Sequence, residues 1–209
     1  MPVLLATAYL PPAGYLAEVV AAGEVRIEVF ETYRKQTTRN HCMIYGPTGA
    51  QKLIIPVVKP DGNHTLTKNI RISGHQPWQK IHWRSIETAY NNSPFFLYYR
   101  DHLAPFYDKR WQFLLDLNCG LLEMLLRILR IERPVTFTKA FEKIPAGARD
   151  LRPLAREGPS NPLCHYGKYS QVFEYRHGFI PALSVIDLLF NTGPETTSYL
   201  SALSQHNNP

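Results

Sequence analysis

Apolar residues change their spacing several times along this chain, and each change predicts a different kind of element. Val3 to Ala8 is an apolar run of strand length. After Pro11-Pro12, residues Tyr15, Leu16, Val19 and Val20 recur at helical spacing up to Gly23, and Val25, Ile27 and Val29 then alternate with Arg26 and Glu28. The opening thirty residues therefore read as strand, helix, strand. If the two strands lie parallel, the crossover is right-handed, and a ligand would sit where the first strand meets the helix.

His41 to Tyr45 and Leu53 to Val58 are strand-like again, and the turn residues Gly46-Pro47-Thr48-Gly49 between them predict an antiparallel hairpin. Pro56 restricts its second strand to an edge or a bulge. Pro60-Asp61-Gly62-Asn63 is a further turn, and Asn69 to Ser73 a short strand. From Trp78 the period becomes helical. Helices are expected over 78–91, 94–107 and 111–131, the last carrying a stripe of Leu114, Leu117, Leu121, Leu125 and Leu129. Val135 to Thr138 adds a strand, 145–162 is rich in Pro, Gly and Arg and reads as an exposed loop or lid, and Phe179 to Phe190 is apolar before Gly193-Pro194 and a short final helix to Leu203. The expected class is α/β: a mixed sheet with an N-terminal strand-helix-strand unit, an antiparallel hairpin and a helical second half.

Length and composition make this one domain over 1–209, since 209 residues at 44% apolar content supply a core. The net charge of +6 favours a small anionic substrate such as a nucleotide sugar or an acyl donor. The basic residues are scattered and accompany no recognition motif, which leaves nucleic acid a minor reading. No apolar run is long enough for a membrane span, and no leader pattern opens the chain, so a cytoplasmic protein is expected. Cys42, Cys119 and Cys164 have no paired spacing and are expected as small buried residues. The histidines are spread out, so no metal is expected; no motif names a cofactor, and assembly into a homo-oligomer is left open.

Three clusters could carry chemistry. On a helix from Trp78, His82 falls in line with Ile86 and Ala89 and points inward, either as a core histidine bonded to a carbonyl or as a general base at a pocket floor. Arg84 precedes Glu87 and Thr88 by one turn and is either a surface pair or an anion clamp. The stretch EVFETYRKQTTRNH follows the second strand, where open sheets build sites. Its Glu28, Glu31, Lys35, Arg39 and Asn40 suit an amine and a phosphate at once, or pair internally in a solvated loop. Asp187, between Ile186 and Leu188, must have a partner, being either a cap or the group that orients a catalytic residue. The turn LPPAGYL loosely matches a phosphate-binding strand-to-helix turn.

The blocks YLPPAGYL, ETYRKQTTRN with LIIPV, IHWRSIETAYNNSPFFLYY, and YSQVF with GFIPALSVIDLLFNTGPE, in this order, resemble the WbqC-like family over about residues 5–200. Members of that family occur in bacterial O-antigen gene clusters, with a suggested transfer of glycine to an amino sugar. The resemblance implies catalytic roles for His82, Glu31 and Asp187, and substrate contacts from Tyr9, Lys35, Gln36, Arg39, Asn40, Arg84, Tyr90 and Gln171. It also raises Pro11, Trp83, Ala89, Phe173 and Asn191. Asn40-His41 stands where the family pattern has Asn-Arg, which removes one cation if that arginine binds substrate. The implied function is an amide-forming acyl- or aminoacyl-transferase; the alternative is a noncatalytic module that binds a polysaccharide precursor or a partner enzyme.

Overall fold

In a computed structural model that describes residues 1–155 and 166–206, the chain runs β1 (Val3–Ala6), α1 (Ala13–Ala21), β2 (Val25–Glu28), β3 (His41–Gly46), β4 (Gly49–Ile54), β5 (Val57–Val58) and β6 (Arg71–Ile72). It continues with α2 (Trp78–Tyr90), α3 (Phe96–Leu103), α4 (Pro105–Asp108), α5 (Leu114–Ile128), β7 (Val135–Phe137), β8 (Arg149–Asp150), α6 (Glu174–His177), α7 (Val185–Thr192) and α8 (Thr196–His206). Cys164 and the 156–162 part of the expected lid lie outside the described residues.

The strand-helix-strand unit forms as its alternation predicts, with β1 and β2 parallel and Val3 opposite Val25. The sheet around it is wholly parallel, in the order β7-β2-β1-β8, and the antiparallel pairs β3-β4 and β5-β6 stand apart from it. Side chains alternate across the sheet. Val3, Leu5, Val25 and Ile27 enter the apolar core, and Tyr15 of α1 and Leu122 of α5 border one small void with Ile27. Leu4, Arg26, Glu28 and Thr136 face the other way, beneath residues 139–148.

Several expected boundaries shift for local reasons. The helix expected over 94–107 is two helices, because Pro105 has no N–H and cannot continue a helical ladder; it begins α4 instead. The next helix starts at Leu114 rather than Trp111, since Gln112 and Phe113 are drawn out to pair with β6. The hairpin's second strand starts early, at Gly49, and stops before Pro56; Val57–Val58 then pairs with Arg71–Ile72. The sequence 145–155, expected as lid, supplies the edge strand β8 and a single 3-10 turn at Arg152–Ala155. No helix among the described residues is long and apolar enough to cross a membrane.

Candidate functional site

The carboxyl ends of β2, β7 and β8 bring charged residues together from distant parts of the chain. Glu28, the last residue of β2, is fully buried, and it accepts hydrogen bonds from the Phe30 N–H at 2.8 Å and the Thr138 hydroxyl at 3.0 Å. Its second oxygen lies 3.4 Å from the Arg152 guanidinium. Arg152 follows β8 and also donates to both oxygens of Asp150, at 2.9 and 2.7 Å, and to the backbone carbonyls of Glu142 and Lys143. This pairing holds the Asp150 carboxyl below its ordinary range, so it stays ionised at neutral pH. Beside it, Arg39 is 1% exposed and donates twice to one oxygen of Glu31, at 3.0 and 2.5 Å, and once to the Thr37 hydroxyl.

These groups border an open hollow of about 360 Å³ whose walls include Phe30, Glu31, Arg34, Phe141, Lys143, Asp150 and Arg152. Arg34 and Lys143 are exposed, and neither forms an ion pair among the described residues. The position agrees with the rule for open parallel sheets, in which ligands lie beyond the carboxyl edge where the strand order reverses; here β1 has β2 on one side and the later β8 on the other. Sequence reasoning singled out Glu28, Glu31 and Arg39 but missed Asp150 and Arg152. A strand of two residues carries no periodicity, so nothing in RDLR marks a sheet edge.

His82 points inward as its helical position predicts and is 3% exposed. Its Nε2 lies 3.2 Å from the Ile54 carbonyl, an acceptor, so the neutral ring carries its proton there. Nδ1 then accepts from the Tyr9 hydroxyl at 2.9 Å, and the Tyr9 oxygen is 2.7 Å from the Tyr107 hydroxyl. Burial, opposed by the Ile54 bond, lowers the His82 pKa to about 4. Both ring nitrogens are thus committed to internal partners, the geometry of a satisfied core histidine. The helix and the 31–40 loop do converge, but through protein groups: the Tyr9 N–H bonds the Thr38 carbonyl, and the Asn40 amide donates to the Ile55 carbonyl next to Ile54.

A third group forms around Asp187, which is fully buried in the first turn of α7. One carboxylate oxygen accepts from the Tyr169 hydroxyl at 2.7 Å and the Gln171 amide at 2.9 Å. Burial raises the Asp187 pKa to about 6, against the opposing pull of Tyr169, Gln171 and Tyr90. Gln171 also bonds both the N–H and the carbonyl of Ile180, and the Tyr90 hydroxyl accepts from the Tyr45 N–H. Asp187, Gln171 and Tyr90 therefore come together, fastening 169–180 to α7 and β3.

The remaining predicted residues separate. Lys35 and Gln36 are exposed at the tip of the 31–40 loop, with Gln36 in the left-handed region at φ 57°. Arg84 is exposed, two positions along α2 from the inward-facing His82 and so on the opposite side. The amino terminus of α1 is occupied by protein: the Ala13 N–H donates to the Leu183 carbonyl, and Ser184 donates to the Leu10 carbonyl. The LPPAGYL turn is thus a packing joint, and Leu10 is held there at φ 40°.

The WbqC-like protein family matches residues 7–153, a span that contains the whole charged group at the sheet end. A curated relative from Mycobacterium tuberculosis (strain ATCC 25618 / H37Rv), the uncharacterized protein Rv1507c, is 29% identical over 217 residues, covering 92% of this chain and 94% of the relative. No solved structure matches.

Proposed function

The chain belongs to the WbqC-like protein family, and on that footing we propose that it is an acyl- or aminoacyl-transferase of bacterial surface-polysaccharide synthesis that binds a nucleotide-linked sugar at the sheet end. The observation that supports this reading is the hollow whose lining brings Arg34, Lys143 and Arg152 together with Asp150 and Glu31. Guanidinium and ammonium groups there meet the phosphate oxygens of a diphosphate, and fixed donors of this kind also stabilise oxyanion charge during acyl transfer. Phe30 and Phe141 line the hollow too, each with a cation over its ring, Lys68 at 3.8 Å and Arg152 at 5.3 Å. Asp150, held ionised, accepts a hydrogen bond from an amine nucleophile.

In this reading Glu31 and Arg39 position the loop by pairing with each other. His82 stays neutral and ties α2 to Tyr9, beyond the end of β1, and to Ile54 at the end of β4. Asp187, Tyr90 and Gln171 act at one remove, holding 169–180 in place. Lys35, Gln36 and Arg84 remain available to an incoming anion from the surface.

Calorimetric titration with uridine diphosphate, and with uridine as the uncharged control, tests the reading. The diphosphate should bind and uridine should bind far more weakly. Arg34→Ser combined with Lys143→Ala, both at exposed positions, should weaken the diphosphate about tenfold or more, as expected for two charge-assisted contacts. Equal affinity of the double variant, or no binding at all, rules the anion site out.

A further inference from the structure

One face of the parallel sheet packs against α1 and α5, and the other, among the described residues, lies beneath a loop. On the second face Leu4, Arg26, Glu28, Thr136 and Thr138 look out beneath residues 139–148, and the space between is a hollow of about 460 Å³. Residues 139–144 in that loop are all exposed, so the loop arches over the strands instead of filling the space with side chains. Arg152 pins the middle of the arch through the carbonyls of Glu142 and Lys143. We propose that the hollow beneath this arch is a second ligand site, and that it takes a small molecule carrying a primary ammonium group.

The volume suits a small ligand and the lining chooses its charge. Three carboxylates, Glu24, Glu28 and Glu142, border the hollow against two cations, Arg26 and Lys139, an acidic excess in a chain whose net charge is +6. Glu24 is taken up by Arg26 and Thr136, and Glu28 by Phe30, Thr138 and Arg152. Glu142 differs: one oxygen accepts from the Ala146 N–H at 3.2 Å, and the other makes no hydrogen bond among the described residues, although the carboxylate also acts electrostatically on Arg26. That oxygen is the acceptor for an ammonium group. Lys139 is exposed on a flexible stem and can turn to solvent.

The placement also deepens the transferase reading, on which its role as acceptor site rests. Glu28 borders the arch hollow and Arg152 the sheet-end hollow, and the two side chains are bonded to each other. An amine in one hollow and an anionic group in the other are therefore separated by a single ion pair.

Amide chemical shifts of the full chain, followed during titration with glucosamine at about pH 6.5 where an amine is protonated, test the site directly. Glucose serves as the neutral control. Shifts gathered over 136–148 with glucosamine and not with glucose are expected. Glu142→Gln should weaken glucosamine about tenfold through loss of a charged acceptor, with uridine diphosphate binding unchanged. Shifts centred elsewhere, an equal response to glucose, or full affinity in Glu142→Gln would overturn the proposal. Failure of the diphosphate to bind strikes only the sheet-end reading, because the glucosamine result is read from different amides and a different variant.

Discussion

Asp187 and His82 are buried ionisable side chains whose shifts make opposite contributions to stability. Burial raises Asp187 to about 6 from an ordinary 3.8, so the folded state holds its proton more tightly than the unfolded chain. Its stabilising contribution is complete below about pH 4 and is lost as pH rises through about 6, a swing of about 3 kcal/mol. Burial lowers His82 to about 4 from 6.5, so its contribution is present above about pH 6.5 and is lost as pH falls toward 4, again about 3 kcal/mol. Urea unfolding across this range should therefore show the two variants diverging. Relative to the parent chain, Asp187→Asn should gain stability as pH rises from 4 to 7, whereas His82→Gln should gain as pH falls over the same interval. Curves that run parallel to the parent's would contradict both assignments. That these two side chains face inward was legible from their apolar neighbours; what each would bond to was not, since Tyr9, Ile54, Tyr169 and Gln171 lie 16 to 73 positions away.

Among the elements, the most constrained junction is the end of α7. Gly193 closes that helix at φ 56°, in the left-handed region, and a Cβ there would lie 2.5 Å from the Phe95 ring. Phe95 cannot withdraw easily, because its N–H bonds the Phe190 carbonyl and the ring packs near Tyr98. Gly193→Ala should cost about 2 to 4 kcal/mol, combining positive-φ strain with overpacking. Thermal unfolding measures it, and a loss of only about 1 kcal/mol, the lower end of backbone strain alone, would mean that the ring yields. Ser184, by contrast, is an ordinary start signal, whose hydroxyl accepts from the Ile186 N–H. Helix ends marked by proline or glycine were readable in this way from single residues. The displaced start of α5 was not, because the claim of β6 on Gln112 and Phe113 is made across 40 positions or more.

For the molecule as a whole, the useful quantity is the field around the sheet end. The net charge is +6, and Arg34 and Lys143 stand exposed at the hollow. Anion binding there should weaken as salt rises, because exposed charges are screened beyond about 8 Å at physiological ionic strength. Titration of uridine diphosphate at increasing sodium chloride should give a steadily rising Kd, while glucosamine at the arch, whose partner is a single carboxylate, should respond less. An affinity for the diphosphate that ignores salt would mean that apolar contacts, not these cations, hold it. The chain's own order of residues settles the features that depend on near neighbours: the strand-helix-strand opening, the hairpin, the apolar stripe of α5 and the inward aim of His82 follow from spacing, because a period of two or of 3.6 decides which side chains share a face. The convergence of Glu28, Thr138, Asp150 and Arg152, the commitment of both His82 nitrogens and the charged face beneath the arch come from the fold. Glu28 meets Thr138 and Arg152 across more than a hundred residues of chain, and His82 meets Ile54 and Tyr9 across 28 and 73; hydrogen-bond partners at such range leave no mark on local periodicity.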